Sequence, residues 1–333
     1  MKKELPAGFQ LRRPNWDDLQ AVADLIIATD IAIRGESDFT AEDLLSDWKA
    51  PNFELDRDAW VITLENGHGT TSPNSNGKII GYEDLWNQKD HARLRGDGYV
   101  HPQYRGLGIG TFLLRTLEDH AHQQIPLAPA ESLVSIRNGV DGSDQVGCQL
   151  HEQQGYSPIR YFWRMRVDMQ AAPEKPDFPP GISLRKFVLE KDEQAVFETM
   201  QEAFRDHWGY IQWEFDYWRQ RKIEREDFDP SLWFLAQDGD QIAGAALCRF
   251  RQDTGWIGTL GVRRPWRRKG IGLALLQQAL GEFFRRGAQT VELSVDAQNP
   301  TGATTLYERA GMHVAHDYVV YEKVLRPGIE KKE

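Results

Sequence analysis

The sequence predicts an α/β protein of the layered α+β kind, built from two tandem copies of one domain, each a mixed, mostly antiparallel sheet flanked by helices. Three observations predict it. A glycine-rich turn between an apolar strand and an apolar-striped helix occurs as Tyr104-Arg105-Gly106-Leu107-Gly108-Ile109-Gly110. It recurs 162 residues later, counted from Gly108 to Gly270, as Arg267-Arg268-Lys269-Gly270-Ile271-Gly272. Short stretches around the turns match at offsets that change only in loops: Phe9–Arg12 with Ile182–Arg185 and Trp60–Thr63 with Trp233–Ala236 at 173, Ile79–Tyr82 with Ile242–Ala245 at 163, and Leu150–Tyr156 with Leu306–Met312 at 156. Between the copies, Ala171–Pro180 carries four prolines in ten residues, a semi-stiff linker by composition. The expected division is a first domain over 1–170, a linker over 171–181 and a second domain over 182–333.

Taken in order, Phe9–Arg13 alternates as a short strand, and Trp16–Ile33 has apolar residues at helical spacing behind the capping residue Asn15. A shorter helix begins near Thr40, with Thr40 and Asp43 in cap-like spacing. Trp60–Leu64 reads as a strand, and Glu65–Gly77, rich in Gly, Ser, Thr, Asn and Pro, as an exposed loop. Ile79–Tyr82 and Gly98–Val100 resume the sheet before the first turn and its helix, Phe112–Ala121. Leu133–Ile136 is a further strand, Gln145–Gln154 a helix and Tyr161–Val167 an alternating strand. The second copy repeats this order. Its strand Trp256–Val262 leads into the basic turn, and its helix runs to Arg285-Arg286-Gly287, where Gly287 suits a C-terminal cap.

Composition sets the bounds. A chain of 333 residues with 40% hydrophobic and 27% charged residues has the make-up of a globular protein of about two domains. No run approaches the ~20 apolar residues of a membrane span, and Met1–Pro6 lacks the apolar core of a signal peptide. Two cysteines, Cys148 and Cys248, form neither a disulfide framework nor a metal cluster, so a reducing cytoplasm and no metal are expected. The net charge of −10 argues against nucleic acid as a partner. A monomer or homodimer is expected.

A strand, a basic glycine turn and a helix N-terminus make an anion cradle. Glycines allow close backbone approach, free N–H groups point outward, the helix dipole favours negative charge, and flanking cations add charge-assisted contacts. The turn is neither a Walker A loop nor a full Rossmann fingerprint. Arg-x-x-Gly-x-Gly after a strand, read as Arg267, Gly270, Gly272 and as Arg105, Gly108, Gly110, resembles the acyl-CoA pyrophosphate loop of the GNAT acyltransferases. The stretch Asn299–Met312 resembles that family's second motif, Asn-x-x-Ala-x-x-Leu-Tyr-x-x-x-Gly-Phe. The likeness spans essentially the whole second domain; in the first half it is firm at the turn and loose elsewhere. The tandem layout resembles that of mycothiol synthase and related two-domain members.

The resemblance implies acetyl-CoA as cosubstrate and an amine as acceptor. It places the pyrophosphate on the amides of Arg268, Lys269, Gly270, Ile271, Gly272 and Leu273, with Arg267 beside them, and the pantetheine arm along Leu260 and Val262. Asn299 would contact the cosubstrate while capping the following helix, and Tyr307 would be the general acid for the departing thiolate. The corresponding positions in the first half are Val100, Arg105, Gly106, Gly108 and Gly110, but His151 stands where Tyr307 stands. The first domain therefore either holds a CoA-type ligand or has become structural.

No carboxylate lies on Trp256–Val262 to act as base; Asp206, His207 and Asp296 are candidates elsewhere, as is a water chain. Fifteen residues from Phe204 to Trp218 crowd eight aromatic or imidazole side chains with three carboxylates, and His207, Trp208 and Tyr210 are candidate acceptor contacts. A helix pair packing its aromatic stripe into the core is the alternative. Two functional classes stand: an N-acetyltransferase with direct transfer, and a non-catalytic CoA-binding or regulatory protein.

Overall fold

The computed structural model describes residues 4–64, 77–87, 90–299 and 301–330. All but Gly77 of the loop expected over Glu65–Gly77 lies outside them, as does Pro300 of the second motif. The chain forms two compact units, one of residues 1–160 with 318–332, the other of residues 161–317.

The first unit contains strands β1 (Phe9–Arg12), β2 (Ala59–Leu64), β3 (Ile79–Asn87), β4 (Arg93–Val100) and β5 (Val134–Asp141), with helices α1 (Leu19–Arg34), α2 (Ala41–Trp48), α3 (Leu55–Asp58), α4 (Ile109–Gln124) and α5 (Gln145–Gln153). Strand β6 (Ser157–Asp168) begins in this unit and continues into the next. The second unit adds β7 (Ile182–Lys186), α6 (Glu193–Phe204), α7 (Phe215–Lys222), β8 (Trp233–Asp238), β9 (Gln241–Arg251), β10 (Thr254–Val262), α8 (Ile271–Arg285), β11 (Thr290–Asp296), α9 (Ala303–Arg309) and the start of β12 (His313–Arg326). The expected caps form: Asn15 accepts from Asp17 N–H at 2.9 Å, Thr40 from Asp43 N–H at 3.2 Å, and Gly287, at φ 91°, follows α8.

The strand order is β1-β2-β3-β4-β5-β12 in the first unit and β6-β11-β10-β9-β8-β7 in the second. The neighbours pair antiparallel except β4 with β5 and β10 with β11. Tyr318–Arg326 of β12 pairs with β5, and Thr290–Asp296 pairs with Phe162–Asp168 of β6. The chain therefore divides at Arg160–Tyr161 and Asp317–Tyr318. The proline-rich segment has no regular structure, and it is held by the second unit: Phe178 packs against that unit's core and Glu174 accepts a bond from Gln277 at 3.1 Å.

Each sheet carries a core on both faces. In the second unit Ile271, Leu275, Ala279 and Phe283 of α8 pack with Leu293, Ile257 and Tyr307, while Val196 and Met200 of α6 and Trp218 of α7 pack with Leu235, Leu247 and Trp233 on the other face. Much of the aromatic run is thus core, since Phe204, Trp213, Phe215 and Trp218 belong to this second cluster. Gly255 admits the ring of Phe283, whose nearest atom would lie 2.7 Å from an added Cβ.

At the end of α8, Glu282 accepts from Arg285 at 2.6 and 2.9 Å and from Arg286 at 2.8 Å, with Lys186 at 3.9 Å. Those donors, Arg285 foremost, hold its carboxyl down at about 2. A depressed carboxylate contributes stability above its unfolded value, and that contribution disappears as pH falls through the folded value. Glu282→Gln should therefore destabilise the second unit by about 1–2 kcal/mol at pH 7. Urea unfolding should show its gap to the parent narrowing from roughly pH 4.5 towards pH 2.

Candidate active site

The two turns share one construction. Gly108 and Gly270 are the N-cap residues of α4 and α8, at φ 84° and 89°. Only glycine adopts that left-handed conformation without a steric cost. An added Cβ there would meet nothing within 4 Å, so the space in front of each helix N-terminus is open. The next glycine serves packing instead. A Cβ at Gly272 would lie 3.0 Å from Leu306, and one at Gly110 would lie 3.1 Å from Leu150. Leu306 and Leu150 are the matched leucines of the second motif, so each turn is pressed against its own motif.

Beside each turn the sheet opens. Strands β10 and β11 pair from Gly255↔Val291 to Ile257↔Leu293, and their pairing ends there among the described residues. Gly258 is an extra residue in β10, since Ile257 faces Cys248 and Thr259 faces the adjacent Leu247 on β9. Beyond that bulge, Leu260 and Val262 stay in register with β9, opposite Ala246 and Gly244. Their other edge faces the opening. In the first unit β4 and β5 part after Gly96↔Asn138, with Val100 opposite Gly81 on β3.

The turns differ in charge. In the second, Arg268, Lys269 and Gly270 are exposed, with Arg268 at φ 60°, and Ile271, Gly272 and Leu273 follow in the first turn of α8. The Arg267 guanidinium is engaged with the protein: it donates to Val262 O at 3.0 Å and Ala203 O at 2.8 Å and lies 3.6 Å from Asp206. It ties the end of β10 to the end of α6. In the first turn Arg105 donates a fork to Asp144 at 3.1 and 3.1 Å, and Asp144 caps α5. Gly106, at φ 81°, and Leu107 leave that turn with no exposed cation.

Tyr307 lies on α9, 7% exposed in the core on the α8 face, and burial raises its phenol to about 12. It is protonated throughout the neutral range. Its counterpart His151 is fully engaged: Nδ1 bonds Gly147 O at 2.8 Å, Nε2 meets the Asn138 amide at 3.2 Å, and the ring stacks on Tyr321. A carbonyl partner requires the proton on Nδ1, so Nε2 accepts from Asn138. Burial also lowers the pKa of His151, so it is neutral. Asn299 accepts from Thr301 N–H at 2.8 Å, whereas the N-cap of α9 is Gly302. Asn299 thus closes the turn before the helix and does not cap it.

Of the three candidate bases, Asp206 forms a fork with Arg264 and is held below its ordinary range by those hydrogen bonds. His207 is half-buried, its ring 4.5 Å from that of Phe204, and burial lowers its pKa. Asp296, the last residue of β11, accepts from Gln298 N–H at 2.9 Å. The Trp208 ring lies 6.1 Å from that of Phe162, and Tyr210 N–H bonds His207 O at 3.1 Å.

Residues 194–312 match the model of the acetyltransferase (GNAT) family, and residues 58–158 match an acetyltransferase (GNAT) domain. A mycothiol acetyltransferase of Saccharopolyspora erythraea is 30% identical over 241 residues, covering 71% of this chain and 78% of its own. This chain belongs to the GNAT acetyltransferase family, with two GNAT domains in tandem. A GCN5-related N-acetyltransferase from Sphaerobacter thermophilus is 39% identical and superimposes with a TM-score of 0.82 over 99% of both chains. A tandem GNAT protein from the clavulanic acid biosynthesis pathway, at 18% identity, shares the fold with a TM-score of 0.72 over 96% of this chain. As a GNAT acyltransferase, this protein is an enzyme. Among the described residues no group of His, Cys, Asp or Glu could hold a metal ion, and no helix is long and apolar enough to cross a membrane.

Proposed function

We propose that the second unit of this GNAT protein transfers acetyl from acetyl-CoA directly to an amine, with Tyr307 as the acid that protonates the departing thiolate. The observation that carries the reading is the combination of the exposed Arg268-Lys269-Gly270 turn with a buried, protonated Tyr307 behind the same helix start. The turn's amides and the dipole of α8 would hold the pyrophosphate, as Gly270 leaves the approach open. The edge of Leu260–Val262 turned away from β9, where Val262 O already accepts from Arg267, would take the pantetheine arm. A backbone N–H at the Gly258 bulge would polarise the thioester carbonyl.

The amine nitrogen attacks the carbonyl carbon, the carbon–sulfur bond breaks, and sulfur takes the Tyr307 proton. An ammonium acceptor becomes an amide and loses two protons: one restores Tyr307 and the other leaves to water. In this reading the first unit is structural. Its turn lacks an exposed cation, and His151 has committed both ring nitrogens.

The test is thiol release from acetyl-CoA with n-butylamine, ethanolamine, glucosamine and lysine as acceptors. At least one should accelerate release well above the amine-free rate and yield the N-acetyl product. Absence of stimulation by every amine, together with unmeasurable acetyl-CoA binding, would contradict the reading.

A further inference from the structure

Of the two protons the acceptor loses, the one bound for water still needs a protein group to carry it there, and β10 has no carboxylate to do so. The segment after α6 offers one, because its anchors lie on both sides of the opening. Gly261 of β10 lies under Ala203 and Phe204, each 3.0 Å from where its Cβ would stand, so the end of α6 rests on β10. Asp206 is then bonded to Arg264 and stands 3.6 Å from Arg267, both just beyond β10. Two residues later, Trp208 packs near Phe162 of β6. In the sheet order β6-β11-β10, the segment therefore runs from β10 to β6 across the end of β11. His207 is the residue between the anchors.

The face is settled by strand register. Phe162 pairs with Asp296, so the two share a face, opposite the one on which Met165, Leu293 and Val295 pack with Tyr307. His207 and Tyr307 are thus on opposite faces of the sheet at the opening. A thioester laid along Leu260–Val262 would lie between them.

Building on the transfer reading above, we infer that His207 is the general base of this enzyme, taking the proton of the acceptor amine on the α6 face while Tyr307 serves the thiolate on the α8 face. The charged groups acting on its ring are Asp296 on β11, Asp206 beside it and Arg267 in the turn. Burial favours the neutral imidazole, and Asp296 partly restores proton affinity. Such a group is a free base at pH 7 and can still hold the proton it takes. Asp206, ion-paired with Arg264, keeps the segment across the opening and is a positioning residue.

The test uses the full-length enzyme, acetyl-CoA and whichever of the four amines turns over fastest. For the parent, kcat/KM should rise with pH to a plateau, with an apparent pKa below 6.5. His207→Gln should lower kcat/KM about 100-fold at pH 7, leave CoA affinity within about twofold and replace the plateau by a continued rise with pH. Asp296→Asn keeps an oxygen for Gln298 N–H and removes the negative charge, so it should move the limb to lower pH with the plateau largely retained. A His207→Gln enzyme within threefold of the parent at pH 7, or a limb unmoved in Asp296→Asn, overturns the assignment of His207 without touching Tyr307. If no amine turns over in the parent, the transfer reading fails first, and this assignment with it.

Discussion

Tyr307→Phe should lower kcat about 100-fold while leaving the dissociation constant of CoA within about twofold. The substitution removes one oxygen from a side chain that is already buried among Ile271, Leu293 and Met312. It leaves the hydrophobic volume in place, so the fold should survive, and a Tm within a few degrees of the parent's would show that. The lost function is proton delivery. A phenol raised to about 12 by burial remains a donor across the neutral range, and phenylalanine has nothing to give. A thiolate must then leave unprotonated or wait for water. The deficit should shrink when acetyl-CoA is replaced by a thioester with a more acidic leaving thiol. His151→Phe in the first unit should leave the transfer rate within about threefold, since His151 is bonded to Gly147 and Asn138 and serves packing. An unchanged kcat in Tyr307→Phe would remove the acid from the mechanism.

Gly270→Glu should weaken CoA binding by about 100-fold, equivalent to roughly 2.7 kcal/mol. Two effects act together. A side chain at φ 89° forces a left-handed backbone at the N-cap of α8, costing about 1–2 kcal/mol. The new carboxylate also competes for the helix N-terminus that the pyrophosphate would use. Gly270→Ala separates them. Its Cβ has open space, so it carries the strain without the charge, and its loss of affinity should be smaller. Titration calorimetry with CoA distinguishes the two variants, and circular dichroism checks that α8 persists in both.

Repeated order made the tandem layout, the strand–turn–helix units and the second motif legible, because glycines at fixed offsets and apolar periodicities leave their record in residue type. Asn15, Thr40 and Gly287 were legible for the same local reason. What sequence hid was long-range. Strand β4 reads as only Gly98–Val100, yet it spans Arg93–Val100, since Gly96 and Gly98 look like strand breakers. Their missing side chains make room for Leu117 and Glu83. Strand β12 alternates like any closing strand, and alternation does not say which edge accepts it; Tyr318–Arg326 completes the first unit. Arg267 looks like a phosphate ligand in sequence, but its hydrogen bonds to Val262 and Ala203 turn it into a brace. The aromatic run divided for a similar reason. Phe204, Trp213, Phe215 and Trp218 are core, whereas His207 and Trp208 extend past α6 towards β6. No periodicity marks where a helix stops covering a sheet and begins to cross an opening.

The claim that chemistry resides in the second unit is tested most directly by measuring acetyl transfer in Gly108→Glu and Gly270→Glu side by side, with saturating amine and acetyl-CoA near the parent's KM. Gly270→Glu should abolish most of the transfer while Gly108→Glu stays within about threefold of the parent. Retention of transfer in Gly270→Glu together with its loss in Gly108→Glu would contradict it.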